Sequence, residues 1–320
     1  MPTLEVNYRD LCSLLGKEIP ASELEYLLPL VKCEVKSFSN EVFTLEVTAD
    51  RPDMFSVEGV ARTLKGFLGL ESGCPKYRVK RGSVRVKVSR NVKPIRPYIA
   101  CCVVRNVRFT DESVAQLMQL QEKLHETLCR RRSKGSIGIY DLEKVKPPIT
   151  YTALKPEEIC FTPLDEARPM TAREILTKTA KGMEYAHLLS DKPRYPLLVD
   201  SRGQVLSMPP IINSEETKVT VETRSLFIDT TGLSPETVEE AVNIIASSLA
   251  ERGGKVEAVL VEYPGGKRVW TGTLKPSTMT LNPSMVSEVL GLNLKPAEVC
   301  SLLRRMRFDV KLKRERLQAV

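Results

Sequence analysis

The hydrophobic pattern divides the chain before any motif does. Over residues 41–48, Phe43, Leu45 and Val47 alternate with polar neighbours, a period of two that predicts a half-buried strand. From Ser56 the spacing lengthens. Val57, Val60, Ala61, Leu64 and Leu68 fall on one face of a helix that Ser56 can cap and that ends near Gly69. With a short helical segment over 22–31, these elements predict a small α/β module in residues 1–75, and Ser72, Gly73 and Pro75 mark a linker over 71–82. A larger α+β domain is expected over residues 76–273. Its predicted strands are 98–107, 197–199, 204–207, 225–229 and 256–263, and its clearest helices are 112–132 and 234–252. Ser234 and Pro235 open the second helix and Gly253 closes it. No strict βαβ rhythm and no phosphate-loop glycine motif occurs, which disfavours doubly wound nucleotide-binding folds. Residues 274–320 predict a helix from Asn282-Pro283 to Gly291, a second over 296–306, a strand over 308–313 and an unfinished strand over 316–320, as in a domain cut short.

Composition supports this multidomain α+β reading. A chain of 320 residues with 42% hydrophobic content suits about two domains with ordinary cores, and excludes disordered, collagen-like and disulfide-scaffold classes. No apolar run approaches the ~18 residues of a membrane span, and the N-terminus lacks the regions of a signal peptide. A cytoplasmic protein without a membrane partner is expected. The eight cysteines form no CxxC pair, and only His125 and His187 could add nitrogen ligands, so no zinc site is expected and the thiols are read as reduced.

The net charge of +8 is uneven. Residues 1–75 hold 7 basic and 12 acidic side chains, net −5, and the rest hold 41 and 28, net +13. Eleven Lys and Arg and no acid lie between Lys76 and Phe109, including Val84-Arg85-Val86-Lys87-Val88, whose period predicts a strand with a cationic outer face. Further basic clusters are Arg130, Arg131, Arg132 and Lys134, and residues 304–316. Such patches suit polyanions, or are simply solvated.

Two polar concentrations interrupt the apolar pattern. On the 112–132 helix the stripe Val114, Leu117, Leu124, Leu128 passes through Gln121, and Arg132 lies three turns beyond it, so both are expected to line a cleft. In residues 205–220, Pro209-Pro210 is read as rigid and extended, holding Ser207 and Asn213 on either side. Downstream, Asp229 and Thr231 share one strand face. Amide, hydroxyl and carboxylate together can orient a water or read a polar substrate, but no histidine is near in sequence and no nucleophile triad is legible.

The segments IRPYIACCVVRNVRFT, LQEKLHETLCRRRSKGSIGIYDLEKV, VLSMPPIINSEETKVT and LFIDTTG, with DRPDMFSVEGVARTLKGFLG near the N-terminus, resemble the β subunits of phenylalanyl-tRNA synthetases of archaeal and eukaryotic type. The resemblance covers essentially the whole chain. It implies an N-terminal module, a central domain that hydrolyses tyrosine wrongly joined to tRNA(Phe), and a truncated, helix-rich, winged-helix-like module. It also implies a partner α subunit in an α2β2 tetramer, tRNA(Phe) as substrate, and ATP and Mg2+ for the whole synthetase at sites outside this chain, with no cofactor for editing. The editing pocket implied is Leu198, Ser207, Asn213, Asp229 and Thr231 with Gln121 and Arg132. Asp229 or Asn213 would read the tyrosyl group, and Ser207, Asn213 or Thr231 would position water. Arg132 suits the phosphate or ribose of the terminal adenosine. Asp50, Asp53 and Glu58 resemble a magnesium motif, but turn formation and capping explain them more simply. The competing expectation is a tRNA-binding or scaffolding module without chemistry of its own.

Overall fold

The computed structural model describes residues 2–313 and 316–320. It is mixed α+β and divides into two compact units, one formed by Met1–Tyr77 with Leu274–Val320 and the other by Arg78–Thr273. In the first, β1 (Thr3–Asn7) leads into α1 (Tyr8–Leu15), α2 (Ala21–Leu30) and the hairpin β2 (Cys33–Ser39) and β3 (Val42–Val47). β3 is the central strand of an antiparallel three-stranded sheet, and Phe43, Leu45 and Val47 are buried as their alternation predicts. The Ser56 side chain accepts from the Gly59 amide and caps α3 (Val57–Phe67), which buries Val57, Val60, Ala61 and Leu64. Asp53 is paired with Arg51 and Arg62, and Asp50 with Lys32.

The second unit is organised around one ten-stranded mixed sheet. Its strands in chain order begin with β4 (Lys80–Val88) and β5 (Tyr98–Arg105), and after α4 (Asp111–Glu126) come β6 (Gly135–Asp141) and β7 (Ile149–Leu154). A small hairpin of β8 (Cys160–Phe161) and β9 (Met170–Thr171) precedes α5 (Ala172–Lys178) and α6 (Ala180–Tyr185). The sheet resumes with β10 (Tyr195–Val199), β11 (Val205–Met208), β12 (Ile212–Asn213) and β13 (Ser225–Gly232). α7 (Pro235–Glu251) then leads to β14 (Lys255–Glu262) and β15 (Arg268–Thr271). Spatial order is β12-β11-β10-β7-β4-β14-β5-β13-β6, with β15 beside β14. Only the pairings of β4 with β7 and β14 are parallel.

Side chains from eight strands of this sheet share one buried cluster, from Val84 and Val86 through Cys101, Tyr140, Tyr151, Leu198 and Leu206 to Phe227 and Val261. The sheet therefore curls around its own inner face, while α7 packs on β5 and β13. This curl brings β12, at one end of the sheet, to β6 at the other: Asn213 Nδ2 donates to the Ile139 carbonyl at 3.4 Å. On β4, Val84, Val86 and Val88 are buried and Arg85 and Lys87 exposed, as the period of two requires.

Several sequence expectations change. The 112–132 helix stops at Glu126, because carbonyls of its last turn are taken by the turn that follows: Cys129 N donates to Leu124 O and Arg132 N to His125 O. Arg130, Arg131 and Arg132 all have positive φ, so Arg132 does not continue the Gln121 face. Pro209-Pro210, joined by a cis bond, is not extended; it turns β11 back into β12. Strands β6 and β7 and the short helices α5 and α6 lack a counterpart in the sequence reading.

Within the first unit, β16 (Met279–Leu281), α8 (Pro283–Leu290), α9 (Pro296–Arg305), β17 (Val310–Lys313) and β18 (Arg316–Ala319) complete the chain. β18, the strand expected over 316–320, pairs with β16 on one side and β17 on the other. The third basic cluster is partly spent on packing: Arg305 donates to Phe67 O at 2.6 Å and Arg307 to Glu71 at 2.7 Å. Arg314, also counted in that cluster, lies outside the described residues.

Candidate functional site

A cavity of about 300 Å3 opens where the two ends of the curled sheet meet, between α4, β6, the β11–β12 turn and residues 217–219. Much of its wall is apolar, with Val114, Met118, Ile137, Ile139, Pro209 and Ile212, and its polar groups come from a few named positions. Gln121, Arg132, Ser207, Asn213 and Asp229 all line it.

Ser207 and Asn213 face each other directly across β11 and β12, so the hairpin, rather than an extended segment, fixes their relation. Gln121 and Asn213 also serve the sheet. Among the described residues β6 pairs only with β13, and its other edge presents unpaired backbone groups that a fold must cover. Gln121 Nε2 donates to Ile137 O at 2.8 Å, Asn213 Nδ2 reaches Ile139 O, and His125 Nε2 accepts from Ile137 N at 2.8 Å. His125 thus stands in the cavity wall although it is remote in sequence from the 205–231 polar segment. With Nε2 accepting, the proton resides on Nδ1, which faces Glu122 Oε1 at 3.3 Å. Burial, with the nearby charges of Arg132 and Lys181, depresses its pKa to about 4 against the opposing hydrogen bond it donates to Glu122. His125 is neutral and fully engaged, hence not a free general base.

Arg132 reaches the wall from the left-handed turn. Its Nη1 donates to Ile211 O at 2.8 Å, its Nη2 to Glu122 Oε1 at 2.7 Å, and the guanidinium lies 4.5 Å from the Tyr185 ring centre. It clamps the β11–β12 turn, and both terminal nitrogens are occupied by protein. Burial raises Glu122's pKa, but the His125 hydrogen bond and the Arg132 and Lys181 charges outweigh it and hold the carboxyl below its ordinary range.

Asp229 has the opposite setting. It is fully buried, and burial pushes its pKa up to about 7, against the lowering effects of a hydrogen bond from Tyr140 and the more distant charge of Arg96. Tyr140 Oη lies 2.7 Å from Asp229 Oδ1 and 2.7 Å from Ser207 Oγ. The phenol has one proton, so when Asp229 is ionised the chain runs Ser207 Oγ–H to Tyr140 Oη–H to Asp229.

Two of the residues read from the sequence stand off the wall. Leu198 is packed in the inner core with Tyr151, Leu206 and Phe227. Thr231 is fully buried; its Oγ1 accepts from Arg96 Nε at 2.9 Å and lies 3.2 Å from Ser136 Oγ, one layer behind the cavity. Conversely, Tyr140, Gly138 and Glu122 line the cavity without being singled out in the sequence, and so does His125, weighed there only as a zinc ligand. The usable signal was Gly138, a glycine between Ile137 and Ile139 where a strand interior ordinarily carries a side chain.

Comparison with known proteins bears on the family and the fold. The B3/4 domain family model matches residues 86–261. The phenylalanine–tRNA ligase beta subunit of Thermococcus gammatolerans is 43% identical over 318 residues, 98% of this chain and 56% of that protein. That of Methanosarcina acetivorans is 42% identical over 308 residues, 96% of this chain and 56% of that one. The chain spans about half the length of the curated relatives it matches. The crystal structure of an N-terminal fragment of the phenylalanyl-tRNA synthetase beta subunit from Pyrococcus horikoshii aligns with a TM-score of 0.95 at 42% identity, over 99% of this chain and 93% of that one. A sequence and fold shared along nearly the whole length, with the B3/4 match falling on the unit that holds the cavity, place this chain in the phenylalanine–tRNA ligase β-subunit family.

Proposed function

We propose that the Arg78–Thr273 unit hydrolyses tyrosine wrongly esterified to tRNA(Phe), and that the chain acts as part of a β subunit with a catalytic α partner in an α2β2 synthetase. The observation that carries this reading is a mostly apolar cavity with one fully buried carboxyl, Asp229, in its wall. An aromatic ring fits the apolar lining, and a carboxylate acceptor favours a ring bearing a hydroxyl over one without it. A site built around such a hydrogen bond discriminates by ~10⁴-fold, whereas a hydrophobic pocket rejects an added hydroxyl by only ~100-fold. That asymmetry is the reason a ligase selecting phenylalanine needs a second site.

In the reaction, water attacks the ester carbonyl carbon and the bond to the ribose oxygen breaks. One water proton passes to that oxygen, and the second is released when the new carboxylic acid ionises. Asp229 reads the phenol, and Ser207 and Asn213 orient the water. Thr231 supports the wall by holding Arg96. Because His125 has both ring nitrogens engaged, the water is oriented rather than deprotonated by a resident base. ATP and Mg2+ belong to the ligation step. In this chain Asp53 is held by Arg51 and Arg62 and Asp50 by Lys32, pairings that fit turn formation and capping.

The test is deacylation of tyrosyl-tRNA(Phe) and phenylalanyl-tRNA(Phe) by this chain. Selective release of tyrosine, lost in Asp229→Ala, is expected. Equal or absent release from both substrates overturns the reading. Exposed Arg85 and Lys87 on β4, with Arg81 5.2 Å from the Trp270 ring centre, favour one second reading, a tRNA-binding module. Salt-sensitive binding without hydrolysis would select it.

A further inference from the structure

We propose that Tyr140 is a positioning residue of the cavity, aiming the Asp229 carboxylate at a substrate hydroxyl, and that Gly138 must lack a side chain for it to do so. The proposal rests on the editing reading and adds to it the residue that makes the hydroxyl sensor. Asp229 lies in the middle of β13, where its cross-strand partners are Gly138 on β6 and Cys101 on β5. A Cβ added at position 138 would fall 2.0 Å from Tyr140 Oη and 2.5 Å from Asp229 Oδ1. The space beside Asp229 is therefore occupied by a hydroxyl from two residues along β6. Tyr140 reaches it with its ring stacked on Phe227, centres 5.8 Å apart, and its oxygen within 2.7 Å of both Asp229 and Ser207.

That geometry ties three strands together at one oxygen. It engages Asp229 Oδ1, leaving Oδ2 as the acceptor for an incoming hydroxyl, and it fixes Ser207 on the facing hairpin. The groups around Asp229 are Tyr140 from β6, Cys101 from β5, Tyr151 from β7, Ser207 from β11 and, at longer range, Arg96. Burial and the adjacent carboxyl keep the Tyr140 phenol protonated, and burial does the same for the Cys101 thiol and the Tyr151 phenol. Tyr140 is thus the group that donates directly to the carboxylate, and removing its hydroxyl makes the carboxylate harder to form without emptying the core.

Two readouts test this in the whole chain. Tyr140→Phe should lower kcat/KM for tyrosyl-tRNA(Phe) by about 10-fold or more, the worth of a hydrogen bond to a charged group. It should also move the acid limb of the pH profile upward by about one unit or more. In the ligand-free protein, the 13C titration of the Asp229 carboxyl should shift in the same direction. Gly138→Ala, whose methyl displaces the phenol oxygen, should reproduce that titration shift. Tyr140→Phe matching wild type in rate, selectivity and titration midpoint overturns the proposal. Failure of the editing reading looks different: the wild-type chain itself would not release tyrosine.

Discussion

Glu122 and Asp229, two of the carboxylates that line the cavity, have opposite electrostatic fates. Glu122 sits near His125, Arg132 and Lys181 and is held ionised below its ordinary range. Asp229 is buried behind a phenol and a serine without a cation in hydrogen-bond contact among the described residues, and its pKa rises to about 7. Glu122 organises protein, since it orients His125 and anchors the arginine that clamps the β11–β12 turn. Asp229 is poised to change charge with its surroundings, the property expected of a group that meets substrate. Residue type did not assign these roles; neighbours in space did, from α4, the turn after it and α6 for Glu122 and from β6 for Asp229.

The largest expected effect concerns stability against pH. Asp229 binds its proton more tightly folded than unfolded, so its contribution is full below the unfolded value near 3.8 and is lost as pH rises to about 7, roughly 4 kcal/mol in all. His125 runs the other way. Its folded pKa of about 4 lies below the unfolded 6.5, so its contribution is full above 6.5 and is lost as pH falls to about 4, roughly 3 kcal/mol. Between pH 4 and 6.5 the two slopes oppose each other. Urea unfolding across that window should show Asp229→Asn gaining stability with rising pH relative to wild type, by up to about 4 kcal/mol at pH 7 and above. A constant difference between variant and wild type from pH 4 to 8 would remove the asymmetry between the two carboxylates.

A smaller effect is expected at the other carboxylate. Glu122→Gln leaves Arg132 buried with a weaker partner, and because Glu122 is 38% exposed the cost is discounted to about 1–3 kcal/mol. The midpoint of denaturant unfolding should fall accordingly, and the Asp229 titration should stay in place. If that titration moves with Glu122→Gln, the two sites are not separate. The smallest effect belongs to the exposed face of β4. Arg85→Ala or Lys87→Ala should change stability by no more than about 0.5 kcal/mol. If this face meets tRNA, each should lower the slope of binding against salt by about 1. Unaltered slopes would confine recognition to other surfaces.

Periodicity made much of the fold legible. The Ser56 and Ser234 caps and the alternation in β3 and β4 follow from local pattern and chemistry, whereas the grouping of Ser207, Asn213 and Asp229 came from the family resemblance. β6 was illegible because Gly135 and Gly138 depress its strand propensity, so Tyr140 had no assigned place. Arg132 was expected in the cleft for a reason that failed: it arrives through a left-handed turn after the helix has ended. Leu198 and Thr231, implied by the resemblance, lie in the layer behind the wall, a placement that motif matching along the chain does not reveal.

By itself the sequence determined the elements with clear periods, the uneven charge and the family signature, because these depend on residues a few positions apart or on counts. Tertiary structure decided the chemistry of the cavity. The curl of the sheet brought β6 against β11 and β12, and the charge of Asp229 depends on burial and on a phenol that a glycine on the neighbouring strand makes room for. Desolvation and hydrogen bonding act over a few ångströms in space, whatever the separation along the chain.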